Sequence, residues 1–173
     1  MLFRSGHAAI LTVATVIGYG AAGTAAAWFT GGDAESWRAF LGLIASTILL
    51  GLAFLALAYL ISVVVRERST AVGLAVGLWL FFIIVYDLAL MGSLVGSKGR
   101  IGSGMFASLL LLNPADVYRL FNLTAFEHIR QFSGMAGLSA SAHFPPAIQL
   151  AVLAAWAAIP LVLAASIFRW REA

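Results

Sequence analysis

The chain has 173 residues, 62% of them apolar and 10% charged, against roughly 45–50% and 25% in ordinary soluble domains. A soluble fold of this size leaves too much surface in water to hide such a composition, disorder needs low hydrophobicity and high charge, and there is no cysteine for a disulfide scaffold or thiol chemistry. The net charge of +3 comes from basic residues placed at the ends of apolar runs. Without a basic stripe this argues against nucleic acid and for an all-α, polytopic helical membrane protein oriented by its charges.

A bilayer crossing takes about 20 helical residues, and four apolar runs reach that length: 8–29, 40–65, 71–96 and 147–168. β-barrel strands would be shorter and would alternate apolar with polar. The first run is longer than the apolar part of a secretory signal. Arg4, Arg66, Arg68, Arg169 and Arg171 flank the runs on one side. The positive-inside rule therefore puts both termini in the cytoplasm and the long segment 97–146 outside.

The third run carries three features. Ser69 or Thr70 is expected to cap its start. Gly73 and Gly77 form a GxxxG spacing that suits a close helix contact or a dimer interface. Asp87 is an intramembrane acid about 27 Å along the helix from Ser69, near the outer surface. A carboxylate that reaches water or caps a neighbour is the expectation, with a proton or substrate relay as the alternative; against the relay, no second ionisable residue stands in any run. Pro160 in the fourth run removes a backbone hydrogen bond and suggests a kink.

The outer segment is far longer than ordinary connections. Residues 101–112 are apolar but too few to cross, which predicts an interfacial or re-entrant helix. Asn113-Pro114-Ala115-Asp116 then reads as a helix start, with Asn as cap, Pro at the first position and Asp in the first turn. Val117, Leu120 and Phe121 share one face of that helix. Asn113, Pro114, Asp116, Tyr118, Arg119 and Phe121 are the candidate outer docking surface, and Arg66 and Arg68 the candidate inner contact. Residues 133–142, rich in Ser, Gly and Ala, predict a mobile stretch. His128, His143, Met105 and Met135 have copper-ligand chemistry but no tight ligand spacing, which favours ordinary surface and packing residues. There is no P-loop and no HExxH pair. Gly102-Ser103-Gly104 has no base beside it to activate the serine.

Four stretches, in order, resemble the NosY family of ABC-2-type permeases. They are Gly6-His7-Ala8-Ala9-Ile10-Leu11; Ser69-Thr70-Ala71-Val72-Gly73-Leu74 followed by Val85-Tyr86-Asp87-Leu88; the run from Leu110 to Leu123 centred on Asn113-Pro114-Ala115-Asp116-Val117-Tyr118-Arg119; and Ala165-Ser166-Ile167-Phe168-Arg169. The family pattern has six spans, and the four here match its last four. The resemblance thus implies the C-terminal portion of a permease, without the first two spans and the ATPase-coupling region. It further implies a bacterial inner-membrane, non-catalytic subunit without a cofactor. The implied partners are a cytoplasmic ABC ATPase, a second permease copy, a periplasmic NosD-like β-helix protein and the lipid bilayer. The implied task is to couple ATP hydrolysis to copper-site assembly of nitrous oxide reductase. The competing readings are another ABC-2 exporter permease and a non-ABC secondary transporter. The latter would show paired broken spans and midplane ionisable residues, and neither is evident.

Overall fold

A computed structural model of the protein describes residues 2–30, 34–97, 102–124 and 144–172. Among them every regular element is helical: α1 (Leu2–Thr30), α2 (Ala34–Val64), α3 (Arg68–Leu80), a π turn (Phe81–Val85), α4 (Tyr86–Gly96), α5 (Ser103–Leu111), α6 (Pro114–Thr124) and α7 (Pro146–Glu172). The all-α expectation is borne out. In hydrocarbon, a helix pairs its own backbone groups without water.

Among the described residues three helical stretches are long and apolar enough to cross a membrane: Trp37–Val64, Arg68–Gly96 and Pro146–Trp170. The second is α3, the π turn and α4 in one continuous rod. The first run of the sequence gives a shorter apolar stretch, Ala9–Ala25, at the lower edge of spanning length. α1, α2 and α7 extend beyond their apolar runs because hydropathy reports the bilayer core, whereas charged flanks continue a helix into the headgroups. Pro160 sits buried inside an unbroken α7.

α2 is the centre of the bundle and packs most extensively against α7, then against α1, α3 and α6. Small residues allow this: Ala53 and Ala56 on α2 are fully covered, as is Leu153 on α7, with Ala157 and Ala164 nearly so. Close backbone approach through small side chains replaces hydrophobic burial as the cohesive device within lipid. α1 meets α2 at two glycines. A Cβ at Gly23 would stand 3.1 Å from the Phe40 ring, and one at Gly51 would collide with Leu11. Gly18, Gly20, Gly73 and Gly77 have open space where a Cβ would be. The GxxxG pair thus approaches no other described helix of this chain, and its face points outward.

The start of α3 also differs from expectation. Its N-cap is Glu67, which makes no side-chain cap bond. Ser69 and Thr70 instead donate their hydroxyls to the Glu67 carboxylate at 2.8 and 3.0 Å. Those two hydrogen bonds hold the Glu67 carboxyl below its ordinary value.

Candidate functional site

The Asn-Pro helix start forms as the sequence predicts, and it sits at the tip of a hairpin made by α5 and α6. Asn113 Oδ1 accepts the Ala115 N–H at 3.0 Å, the N-cap bond that an orphan amide of the first turn requires. Pro114 at the first helical position has no N–H to lose. The tip is buried: Asn113 has no exposed surface, and Val117 has none either.

A buried chain reversal must satisfy its backbone groups, and here the spans supply donors. Tyr86 Oη donates to the Leu109 carbonyl at 2.7 Å. Trp156 Nε1, from α7, donates to the Leu111 carbonyl at 3.2 Å. These carbonyls belong to the last turn of α5, where intrahelical partners run out. The exchange also runs the other way. At the π turn the Tyr86 N–H reaches back five residues to the Phe81 carbonyl, and this widened turn turns a backbone carbonyl outward. The Phe82 carbonyl receives Asn113 Nδ2 at 2.8 Å. The rings of Phe82 and Trp156 meet edge to face at 5.5 Å between centroids, and Phe54 closes on Phe82 at 6.4 Å.

One turn further along α6 lies an ionic cluster. Asn113 Nδ2 also donates to Asp116 Oδ2 at 2.8 Å. Arg119 Nη1 bridges Asp116 Oδ1, at 3.2 Å, and Asp87 Oδ2 on α4. Asp87, for which the spans themselves offer no second ionisable residue, therefore finds a partner on the outer helix. Spacing within the spans holds no sign of it, because the partner stands 32 residues away. On the opposite side of α6, Tyr118 Oη lies 3.3 Å from Thr47 Oγ1, and Asn122 Nδ2 donates to Ser46 Oγ at 3.1 Å. The hairpin is thus tied to α2, to the third span and to α7 at once.

This geometry narrows the expected docking surface. Asn113, Pro114, Asp116 and Phe121 are packed inside the chain. Tyr118 is half-buried, and Arg119 is exposed. The face that appeared free for a partner is largely used to seat the helix on its own bundle, because Val117, Leu120 and Phe121 need cover. Arg66 and Arg68 are exposed at the α2–α3 turn. Met105 is exposed on α5. His128, His143, Met135 and the stretch 133–142 lie outside the described residues.

Comparison with known proteins agrees with this architecture. The family profile described as ABC-2 family transporter protein matches residues 4–173. A protein of Stutzerimonas stutzeri named "Probable ABC transporter permease protein NosY" is 43% identical over 168 residues, covering 96% of this chain and 61% of that protein. A protein of the same name from Pseudomonas aeruginosa is 40% identical over 175 residues, with the same two coverages. The chain therefore spans about three-fifths of the length of these curated relatives. The family match sets aside the secondary-transporter reading, and on its strength the chain belongs to the ABC-2 family of transporter proteins.

Proposed function

We propose that this chain is the C-terminal part of a permease subunit that couples cytoplasmic ATP hydrolysis to periplasmic copper-site assembly of nitrous oxide reductase. The similarity to proteins named NosY over 96% of the chain carries this reading. The geometry supports a subunit that transmits motion. A hairpin held by the π turn of one span and an indole of another moves with those spans, so a shift at their inner ends is felt at the outer face. The motor is a separate ABC ATPase, engaged on the inner side, where Arg66 and Arg68 offer exposed positive charge. With four apolar runs the termini are cytoplasmic, and the second permease copy docks on the face that carries Gly73 and Gly77. A NosD-like periplasmic protein docks on the outer face around Tyr118 and Arg119.

The test is genetic and chemical. Nitrous oxide reductase is purified from the host with and without the gene for this permease, and its copper content is measured. The expected outcome is a reductase polypeptide that accumulates without its full copper complement and recovers when the gene is restored. Normal copper content without the permease would sink the maturation role and leave another ABC-2 export task. A second expected outcome is that Arg119→Glu reduces co-purification of the periplasmic partner while membrane insertion is unchanged.

A further inference from the structure

We propose that Asp116 holds a proton beneath Arg119 and beside Asp87, and that this proton bolts the α5–α6 hairpin to the third span. The clasp tightens when Asp116 is protonated and loosens when it ionises. The inference concerns a pH-responsive device within the fold and does not depend on the cargo.

The arrangement supplies two carboxylates and one guanidinium. Both acids approach the same nitrogen, Arg119 Nη1. The second oxygen of Asp116 is occupied by Asn113 Nδ2 at 2.8 Å. The Asp116 side chain is 6% exposed, and it shares Arg119 Nη1 with Asp87. Among the described residues, two ionised acids would leave one negative charge in excess of Arg119 in this partly dry place. Carboxylates that share a site do not readily ionise together, and their titration belongs to the pair. A single proton neutralises the cluster and turns acid–acid repulsion into a hydrogen bond.

Among the described residues no other charge compensates the two acids. The charges that act on Asp116 are those of Asp87 and Arg119. The Tyr86 phenol on α4 also stands near Asp116, and a phenol carries no charge at these pH values. From α2 the polar groups that reach α6 are Ser46 and Thr47, and from α7 Trp156 reaches the end of α5. None of the three is charged. Burial first, then the hydrogen bond and charge of Asp87, push the Asp116 carboxyl up to about 7, against the opposing pull of Asn113 and Arg119. Asp87 keeps a third of its side chain uncovered, so a proton has a route in and out.

The sign follows from linkage. A carboxyl raised from 3.8 to about 7 on folding binds more protons in the native state than in the unfolded state between those values. Its contribution to stability is fully present below about pH 4 and is lost as pH rises to about 7.

The detergent-solubilised chain is melted at a series of pH values, as wild type, Asp116→Asn and Asp87→Asn. Infrared spectra of the wild type are recorded over the same range to follow protonated carboxyl groups. The expected result is a wild-type midpoint that falls from about pH 4 to about pH 7 and then levels, with most of that slope absent in Asp116→Asn and ending at lower pH in Asp87→Asn. Asp116→Asn mimics the protonated acid. Asp87→Asn removes the neighbouring acid but leaves the burial, so Asp116 ionises at lower pH than in the wild type. A protonated-carboxyl signal in the wild type should persist at about pH 6 and fade above neutrality. The same slope in wild type and variants, or no such signal at about pH 6, overturns the proposal. Should Asp116→Asn fail to fold, Asp87→Asn and the wild-type spectrum decide it.

Discussion

Asn113 uses both halves of its amide at once. Its oxygen caps α6, while its nitrogen serves the Phe82 carbonyl and Asp116. Replacing it with Ala removes the cap, worth about 1 kcal/mol, and leaves buried acceptors without a donor, at about 1–3 kcal/mol more. Thermal or denaturant unfolding should therefore show a loss of about 2–4 kcal/mol for Asn113→Ala. Asn113→Ser should lose less, because a serine still caps but is too short to span to the π turn. Trp156→Phe retains an aromatic ring against Phe82 yet leaves the Leu111 carbonyl without its donor, for an expected loss of about 1 kcal/mol in the same measurement. At this scale the sequence was legible where chemistry is local. Asn-Pro-Ala-Asp announces a cap and a first turn. It was silent where chemistry is distant, as in the Asp87–Arg119 pair, since nothing in Val85-Tyr86-Asp87-Leu88 says which residue will answer the acid.

Helices were the easiest elements to read, because sustained apolar runs have no other stable state in lipid. Their contacts were harder. GxxxG drew attention to Gly73 and Gly77, yet the close approach within the chain is made at Gly51 and Gly23 in less conspicuous surroundings. A glycine matters by what faces it, and that is set by the partner helix. The π turn was likewise hidden, because Phe81-Phe82-Ile83-Ile84-Val85 reads as an ordinary apolar helix and the shift in hydrogen bonding leaves no compositional mark. The glycines give a direct contrast. Gly51→Val inserts bulk against Leu11 and should destabilise α1–α2 packing by about 1–3 kcal/mol. Gly73→Ala enters open space and should leave unfolding unchanged or raise stability by up to about 1 kcal/mol. Equal losses in the two variants would contradict the packing described for α1 and α2.

On the whole molecule, large apolar side chains face outward along α1, the third span and α7: Ile10, Ile17, Val72, Val76, Leu88, Ile159 and Val162 among them. That is the surface a membrane protein turns to lipid or to further helices. A cleft of about 560 Å³ between α1, α2 and α3, lined by residues such as Leu11, Phe54, Leu55 and Trp79, belongs to the same apolar exterior. Gly73 and Gly77 sit in this outward surface with no described residue of their own chain against them, which is the disposition a homodimer interface requires. The double variant Gly73→Leu, Gly77→Leu should lower self-association in vesicles, read by cross-linking, while helix content stays as in wild type. Undiminished cross-linking would place the second copy elsewhere.

The Asn113–Pro114 bond has one more consequence, on the timescale of the protein's lifetime. Asparagine side chains are lost with age when the backbone nitrogen of the following residue attacks the side-chain amide and closes a five-membered imide. The nitrogen of Pro114 carries no hydrogen, so that ring closure is blocked here. Conversion of Asn113 to aspartate would exchange the donor facing Phe82 and Asp116 for an acceptor, and would add a third acid beside Asp87 and Asp116. The proline that begins α6 thus also shields the hairpin against chemical ageing at its most sensitive amide.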